Sequence, residues 1–296
     1  MKYLKYYLSI FLISALLSSC SKDSGPEPIR DLQEQTLDDD QALVDYLKTH
    51  FYNYQDFQNE PDNFKIKIEI DSLDGENADK TALWDQVESK EILVSDMNNN
   101  DVSTKMYYLV AKTGIGENPS TVDSTFVTYK GELLNGSVFD KKEVPIWFNL
   151  ASGVIRGFKE FLPQLKAGDH LTYPDGTYEF DHYGQGILFI PSSLGYFSQS
   201  TGIIPSYSPL VFSVALHKVN IADHDNDGIL SRDEDPDGDG NPLNDDTDED
   251  RIPNYLDSDD DNDGTDTKIE FDRDGDGVFD DDDNDGTPDY LDANST

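Results

Sequence analysis

The sequence predicts an α+β fold, in which an antiparallel twisted β-sheet wraps on a short helix and an irregular acidic array follows. Three observations support this prediction. Aromatic and β-branched residues form short runs between glycines across 126–155, which is typical of antiparallel strands. The next apolar positions change to helical spacing, at Phe158, Phe161, Leu162 and Leu165. Beyond residue 220, aspartates recur at alternate positions.

The composition limits the class of protein. A chain of 296 residues with 36% hydrophobic residues is long enough to build one or two cores. Its formal net charge is −39. So much negative charge repels nucleic acid and anionic lipid and attracts cations. We therefore expect no nucleic-acid partner.

The first twenty residues predict a targeting segment. Lys2 and Lys5 precede an apolar run at 8–17, and small residues lead to Cys20, the only cysteine. The pattern resembles a bacterial lipobox, which implies lipid attachment at Cys20 and a membrane contact through that lipid. An uncleaved anchor or a plain signal peptide with a chance cysteine is the alternative, but the apolar run is short for a spanning helix. No cysteine remains for a disulfide.

The region before the main domain is divided by composition. A polar stretch at 21–37 predicts a flexible tether. Within 38–102 we predict a helix that begins near residues 38–40 and ends near 54, and a half-buried strand at 64–70, where apolar and charged residues alternate. Residues 92–94 are a candidate for one more strand. The sequence leaves open whether this region is a separate domain or a flank of the sheet.

The main domain is predicted over 103–220. Its first strand is expected at 105–112 and its closing strand at 210–216. A segment at 174–186 predicts a hairpin. Alternatively, its aromatic residues form a lip over a pocket, from Tyr178, Phe180 and Tyr183.

Several separated motifs in this domain occur together. They are Tyr129-Lys-Gly131, Asn135-Gly-Ser-Val-Phe-Asp140, Val154-Ile-Arg-Gly-Phe158, Gly202-Ile-Ile-Pro205 and Leu210-Val-Phe212. In this order they resemble the pattern of FKBP-type peptidyl-prolyl cis/trans isomerases. The resemblance covers about 103–220. It implies an FKBP-like fold, isomerisation of X-Pro bonds in proline-containing polypeptide clients, and no cofactor for catalysis.

The resemblance also implies a set of pocket residues. They are Tyr129, Phe139, Asp140, Ile146, Phe148, Val154, Ile155, Phe158, Tyr196, Ile204 and Phe212. Among them Asp140 is expected at the polar edge, and Tyr196 and Ile204 are expected to bond the peptide backbone. Two pocket positions depart from the family, because Phe158 stands where tryptophan is most frequent and Ile146 where an aromatic residue is common. The step Gly195-Tyr-Phe197 matches imperfectly, and the segment 174–186 is an insertion relative to the family pattern. A domain that binds peptides without catalysis is therefore the alternative.

Other catalytic patterns are absent from the sequence. The five histidines have no metal-type spacing and no cysteine partners, and we expect them to be ordinary surface or core residues. No glycine-rich phosphate loop or dinucleotide fingerprint occurs.

The stretch 223–292 contains 30 acidic and 4 basic residues, a net charge of −26. A solvated acidic tail is the default for such a run, but the spacing indicates calcium loops. Asp223, Asp225, Asp227, Gly228 and Glu234 occupy positions one, three, five, six and twelve of an EF-hand-type loop. Alternate carboxylates then surround the cation, and the glycine permits the sharp turn.

The pattern recurs, and we name six acidic loops by their first residues at 223, 235, 246, 259, 272 and 281. The third has Arg251 where glycine is expected. The predicted calcium ligands are carboxylates throughout: Asp223, Asp225, Asp227 and Glu234; Asp235, Asp237 and Asp239; Asp246, Asp248, Asp250 and Asp257; Asp259, Asp261, Asp263 and Glu270; Asp272, Asp274 and Asp276; Asp281, Asp283, Asp285 and Asp292. Paired EF-hand helices do not fit between loops this close. The array at 221–296 resembles thrombospondin type-3 calcium repeats, and we expect calcium binding and folding to be coupled.

Together these features predict a lipid-anchored isomerase of the cell envelope that assists folding of exported proteins. Weak extracellular-type calcium sites favour the outer membrane, facing the periplasm or the cell surface. A non-catalytic adhesion or interaction lipoprotein with a calcium-ordered stalk is the rival hypothesis. A third treats the tail as a calcium buffer or a processed sorting segment.

Overall fold

The computed structural model describes residues 28–295. The targeting segment, Cys20 and the tether up to residue 27 lie outside the described residues. Residues 31–296 form one compact unit. The helices are α1 (Leu32–Thr49), α2 (Tyr54–Asn59), α3 (Arg156–Phe161) and α4 (Thr267–Glu270). The strands are β1 (His50–Tyr52), β2 (Ile70–Ser72), β3 (Glu88–Ser95), β4 (Asp101–Lys112), β5 (Ser124–Leu133), β6 (Val138–Asn149), β7 (Asp169–Thr172), β8 (Tyr178–Asp181), β9 (Gly184–Ile190) and β10 (Leu210–Asn220).

A six-stranded antiparallel sheet is the centre of the molecule, in the order β3-β4-β9-β10-β5-β6. Helix α3 packs on one face, where Phe158, Phe161 and Leu162 join the apolar core. The backbone of β9 passes close beneath it at Gly186, where an added Cβ would lie 2.7 Å from the Phe161 ring. The predicted sheet on a short helix is confirmed, as is the α+β class.

The region before the sheet is a flank of it. From the opposite face, Leu43 and Leu47 of α1, together with Phe57 and Leu83, pack against β4, β9 and β10. The predicted bounds of the helix are wrong at both ends. The helix begins at Leu32 because the Asp31 side chain caps it, accepting from the Glu34 N–H at 2.9 Å. It ends at Thr49 because the chain then extends into β1, which pairs with β2.

The segment 64–70 is only partly the predicted strand. Its alternation is confirmed, since Ile68 is buried while Lys65 and Lys67 are exposed. Its backbone, however, enters a sheet only at Ile70. The stretch before it is held by a side chain instead, because Asn53 accepts from the Glu69 N–H and donates to the Lys67 carbonyl. The candidate strand at 92–94 is confirmed within β3.

A hairpin is present, but it lies earlier than the predicted 174–186: its strands β7 and β8 span 169–181, and residues 184–186 already belong to β9. The alternative of a lip over a pocket is wrong. Phe180 packs against Phe126 and His217, with ring centroids 5.7 and 5.1 Å apart. The Tyr183 ring is tilted against the same histidine ring, with the centroids 4.3 Å apart. These aromatic contacts hold the hairpin against the sheet, away from the cavity described below.

His217 makes the stability of the sheet depend on pH. Its side chain is buried, its Nε2 lies 3.0 Å from the Thr128 hydroxyl, and desolvation lowers its pKa to about 4. The unfolded chain binds a proton near pH 6.5 and the folded chain near pH 4, so the stability present above pH 6.5 is lost as the pH falls toward 4. Between pH 7 and pH 5, protonation of His217 in the unfolded chain is expected to lower the free energy of unfolding by about 2 kcal/mol. We expect this part of the pH dependence to be absent in His217→Gln.

Urea unfolding of both proteins at the two pH values measures this difference. The exposed His170 supplies the matched control, and His170→Gln should leave the pH dependence of the wild type unchanged. A wild-type slope that persists in His217→Gln would assign the pH dependence to other groups.

Beyond β10 the chain is irregular, as predicted. It contains short turns and the single-turn helix α4. Among the described residues, no helix is both long enough and apolar enough to cross a membrane.

Candidate functional site

A cavity of about 900 Å³ opens between β5, β6, α3 and the segment 195–204. All but one of the predicted pocket residues line it: Tyr129, Phe139, Asp140, Phe148, Val154, Ile155, Phe158, Tyr196, Ile204 and Phe212. Its wall also includes residues that the sequence did not single out as ligand contacts: Gly153, Arg156, Gly195, Thr201, Gly202 and Ile203. The fold thus gathers residues from distant parts of the chain around one concave surface.

The floor of the cavity is aromatic and buried. Phe158 and Phe212 are 3% and 4% exposed, and their ring centroids lie 4.9 Å apart in an edge-on arrangement. The centroid of the Phe148 ring lies 5.6 Å from that of Phe158, and the centroid of the Phe139 ring lies 5.4 Å from that of Phe212. Gly131 of β5 leaves room for these rings, because a Cβ there would lie 2.6 Å from Phe139 and 2.7 Å from Phe212. The geometry suits a compact apolar ring as a ligand.

One hydrogen bond forms the polar edge. The Tyr129 hydroxyl donates to Asp140 Oδ2 at 2.5 Å, and Lys142 Nζ lies 3.4 Å from Oδ1. The bond from Tyr129 holds the pKa of Asp140 below its usual range, while burial and Asp140 raise the pKa of Tyr129. The described lining residues include no histidine, cysteine or serine. The cavity therefore offers shape, apolar surface and a fixed carboxylate.

Two predicted residues differ from expectation. Ile146 does not line the cavity. It pairs with Val127 in β6, two residues before Phe148, which does line the cavity. Ile204 lines the cavity, but its N–H already donates to the Thr201 carbonyl at 3.0 Å and its carbonyl accepts from the Thr201 N–H. The backbone of Ile204 is thus engaged in a turn.

The acidic loops share one backbone conformation. Position six of each has a positive φ, between 83° and 109°, at Gly228, Gly240, Arg251, Gly264, Gly277 and Gly286. In the second, third, fifth and sixth loops the N–H at position six donates to the first aspartate. The aspartate at position three accepts from the N–H at position five in every loop. This regularity turns the alternate side chains toward a common centre.

Several loops bring carboxylate oxygens within 4.8 Å of one another. The groups are Asp223, Asp225 and Asp227; Asp235, Asp237 and Asp239; Asp246, Asp248 and Asp250; and Asp259, Asp261 and Asp263. Glu234 and Glu270, predicted at position twelve, are each 1% exposed. Burial raises their pKa values to about 9 and about 7, with neighbouring aspartates adding to the shift. The clusters carry the oxygen ligands that calcium prefers.

Three acidic residues of the array that the sequence did not assign are also buried, and one of them, Asp289, has hydrogen-bond partners. Asp245 and Asp260 are 6% and 2% exposed and keep carboxylate oxygens without a hydrogen-bond partner. Both stand next to predicted ligands, so the alternating pattern concealed them.

The third loop carries strain that can be relieved. Arg251 has φ 84° where the other loops have glycine, a backbone region that disfavours a side chain. We expect Arg251→Gly to be more stable than Arg251→Ala by about 1 kcal/mol, because both variants remove the charge but only glycine relieves the backbone. Thermal unfolding at fixed calcium compares the two variants. The reciprocal Gly240→Ala, at the same φ of 84° and with open space around the Cβ, should lose stability.

Comparison with known proteins gives two family matches and several relatives. Residues 116–173 match the model of FKBP-type peptidyl-prolyl cis-trans isomerase, and residues 224–278 match a model described as BamM C-terminal. The chain is 33% identical over 161 residues to the FKBP-type peptidyl-prolyl cis-trans isomerase FkpA of Escherichia coli K12, covering 53% of this chain and 51% of the relative. It is 32% identical over 138 residues to the peptidyl-prolyl cis-trans isomerase Mip of Coxiella burnetii, covering 44% and 53%.

The chain thus spans about half the length of these relatives. The crystal structure of Escherichia coli FkpA overlaps 43% of this chain and 51% of its own at 30% identity, with a TM-score of 0.32. A TM-score this low carries no argument about fold.

Proposed function

We propose that this chain is a peptidyl-prolyl cis/trans isomerase of the FKBP type, the family whose model its residues 116–173 match. The observation that carries the proposal is the aromatic cavity edged by the Tyr129–Asp140 hydrogen bond. The two isomerase relatives reported above, which are 33% and 32% identical to this chain over the aligned residues, support it. The expected substrates are proline-containing segments of polypeptide clients.

The reaction is rotation about an X-Pro bond, which has a barrier of about 20 kcal/mol in water. Amide resonance and solvation of the carbonyl stabilise the planar ground state. The twisted transition state is less polar along the C–N bond, so a dry cavity favours it. Phe158 and Phe212 would seat the proline ring, and Asp140, held by Tyr129, would face the amide at the rim. No proton transfer or cofactor is needed.

An isomerisation assay on the purified protein from Ser21 onwards tests the proposal. We expect acceleration well above the uncatalysed rate, a loss of tenfold or more in Asp140→Ala, and a gain in Phe158→Trp, which widens the apolar floor. Asp169→Ala is the matched control, because this aspartate is exposed and remote from the cavity lining. A folded protein that binds a macrolide-type inhibitor but accelerates nothing would instead support the non-catalytic peptide-binding alternative.

We also propose that the acidic loops bind calcium as a structural ion. Support comes from the repeated loop conformation, the carboxylate groups within 4.8 Å and the buried oxygens that lack partners. The ions would hold the loops and would take no part in isomerisation. Calorimetric titration with calcium tests this, and a flat titration of folded protein would contradict it.

The proposed site of action is the cell envelope, with the protein held to the outer membrane by lipid on Cys20. Support for this comes from the sequence before residue 21 alone. Labelling cells with a fatty-acid analogue should mark the wild type and leave Cys20→Ser unmarked. Equal labelling of the two proteins would remove the anchor from the proposal.

A further inference from the structure

Three buried carboxylates from two separate loops meet inside the acidic region. Asp227 and Glu234 belong to the first acidic loop, and Asp260 belongs to the fourth. They are 2%, 1% and 2% exposed. Each offers an oxygen within 4.8 Å of the others. The spacing pattern within one loop does not account for this meeting.

These carboxylates lack the partners that buried charges require. Both oxygens of Glu234, both of Asp260 and Oδ2 of Asp227 accept no hydrogen bond. In the part of the chain that the structure describes, no salt bridge includes any of the three. An unpaired buried carboxylate is strongly unfavourable, and three together add mutual repulsion. The arrangement calls for a positive charge at its centre.

We propose that Asp260 is a ligand of the cation held by the first acidic loop, so that one calcium-class divalent ion joins the first and fourth loops. This inference rests on the proposed calcium binding and adds a specific ligand to it. Asp223 and Asp225 each leave one further buried oxygen without a partner. With the five above, the site offers an all-oxygen shell of the size calcium takes, and it offers neither nitrogen nor sulfur.

The shared ion would fix the array to the sheet. Arg232, also in the first loop, forms an ion pair with the fully buried Asp123, which precedes β5. The other oxygen of Asp123 accepts from the Ala222 N–H at 2.9 Å. The first loop is therefore anchored to the isomerase sheet, and Asp260 would attach the fourth loop to that anchor.

Hydrogen exchange during a calcium titration of the whole protein tests the assignment. We expect Asp260→Asn to raise the calcium midpoint for protection of 223–234 at least tenfold, although no residue of that loop has changed. The matched control is Asp266→Asn, which removes the same charge at an exposed position of the same loop and should leave that midpoint unchanged.

The outcomes separate the two proposals. If calcium protects 223–234 with the same midpoint in the wild type and Asp260→Asn, the shared ion is wrong and calcium binding stands. If calcium protects no part of the array in the wild type, calcium binding itself is wrong. A crystal structure of the wild type with terbium provides a measurement independent of variant folding. An anomalous peak bonded to Asp260 and Glu234 supports the assignment, and a peak bonded to the first loop alone overturns it.

Discussion

Removal of calcium is expected to unfold the acidic array while the sheet stays folded. In a chelator, amides across 223–292 should exchange at least a hundredfold faster than with calcium, and those of β4, β9 and β10 should keep their protection. The physical reason is charge. The array carries 30 acidic and 4 basic residues, and its few buried apolar side chains cannot offset that repulsion without bound cations.

The control for this prediction separates specific binding from screening. Magnesium and sodium chloride at matched ionic strength weaken repulsion between exposed charges. Magnesium demands a near-ideal octahedron with short bonds and keeps several of its waters, so it should not replace calcium in flexible all-carboxylate loops. Only calcium should restore the slow exchange. Equal protection with and without calcium, or full recovery in sodium chloride, would show that the loops fold without specific ions.

The cavity was predictable from sequence because its residues lie in short motifs whose spacing is visible. Tyr129, Phe139 and Asp140 belong to adjacent strands, and Val154 to Phe158 leads directly into α3. Ile146 was assigned by the resemblance alone, and it does not line the cavity although Phe148, two residues along β6, does. The hydrogen bond that engages the Ile204 N–H in a turn could not be predicted from the sequence.

The contacts that failed prediction join distant parts of the chain. The acidic run at 38–40 suggested a helix start, but the helix is capped by Asp31. Asp39 lies in the middle of the helix, and its side chain is buried. Asp260 was not assigned because Asp259 and Asp261, on either side of it, already occupy the alternate ligand positions of the fourth loop. In both cases an acidic residue lies beside groups from a distant part of the chain, and local periodicity carries no information about such neighbours.

Asp39→Ala is expected to cost about 4 kcal/mol of the free energy of unfolding. The Asp39 carboxylate accepts from the Ser192 N–H at 2.7 Å, the Ser192 hydroxyl at 2.6 Å and Gln35 Nε2 at 2.7 Å. Asp39 and Ser192 are 2% and 0% exposed. Alanine leaves two buried donors of Ser192 without a partner, which burial makes expensive. Asp39→Asn retains one acceptor and should cost about half as much.

The effect should reach the cavity, because Ser192 begins the turn Ser192–Leu194 that leads to Gly195 and Tyr196 in the cavity wall. Helix α1, on the opposite face of the sheet, thereby positions one side of the cavity. We expect Asp39→Asn to raise KM for a prolyl peptide several-fold while kcat changes less, since the aromatic floor is untouched. Urea unfolding and steady-state kinetics measure the two effects, and the exposed Asp38→Ala on the same helix is the control. The free energies of unfolding of Asp39→Ala and Asp38→Ala can also differ by less than about 1 kcal/mol. In that case the buried hydrogen bonds contribute little, and α1 acts on the cavity through apolar packing alone.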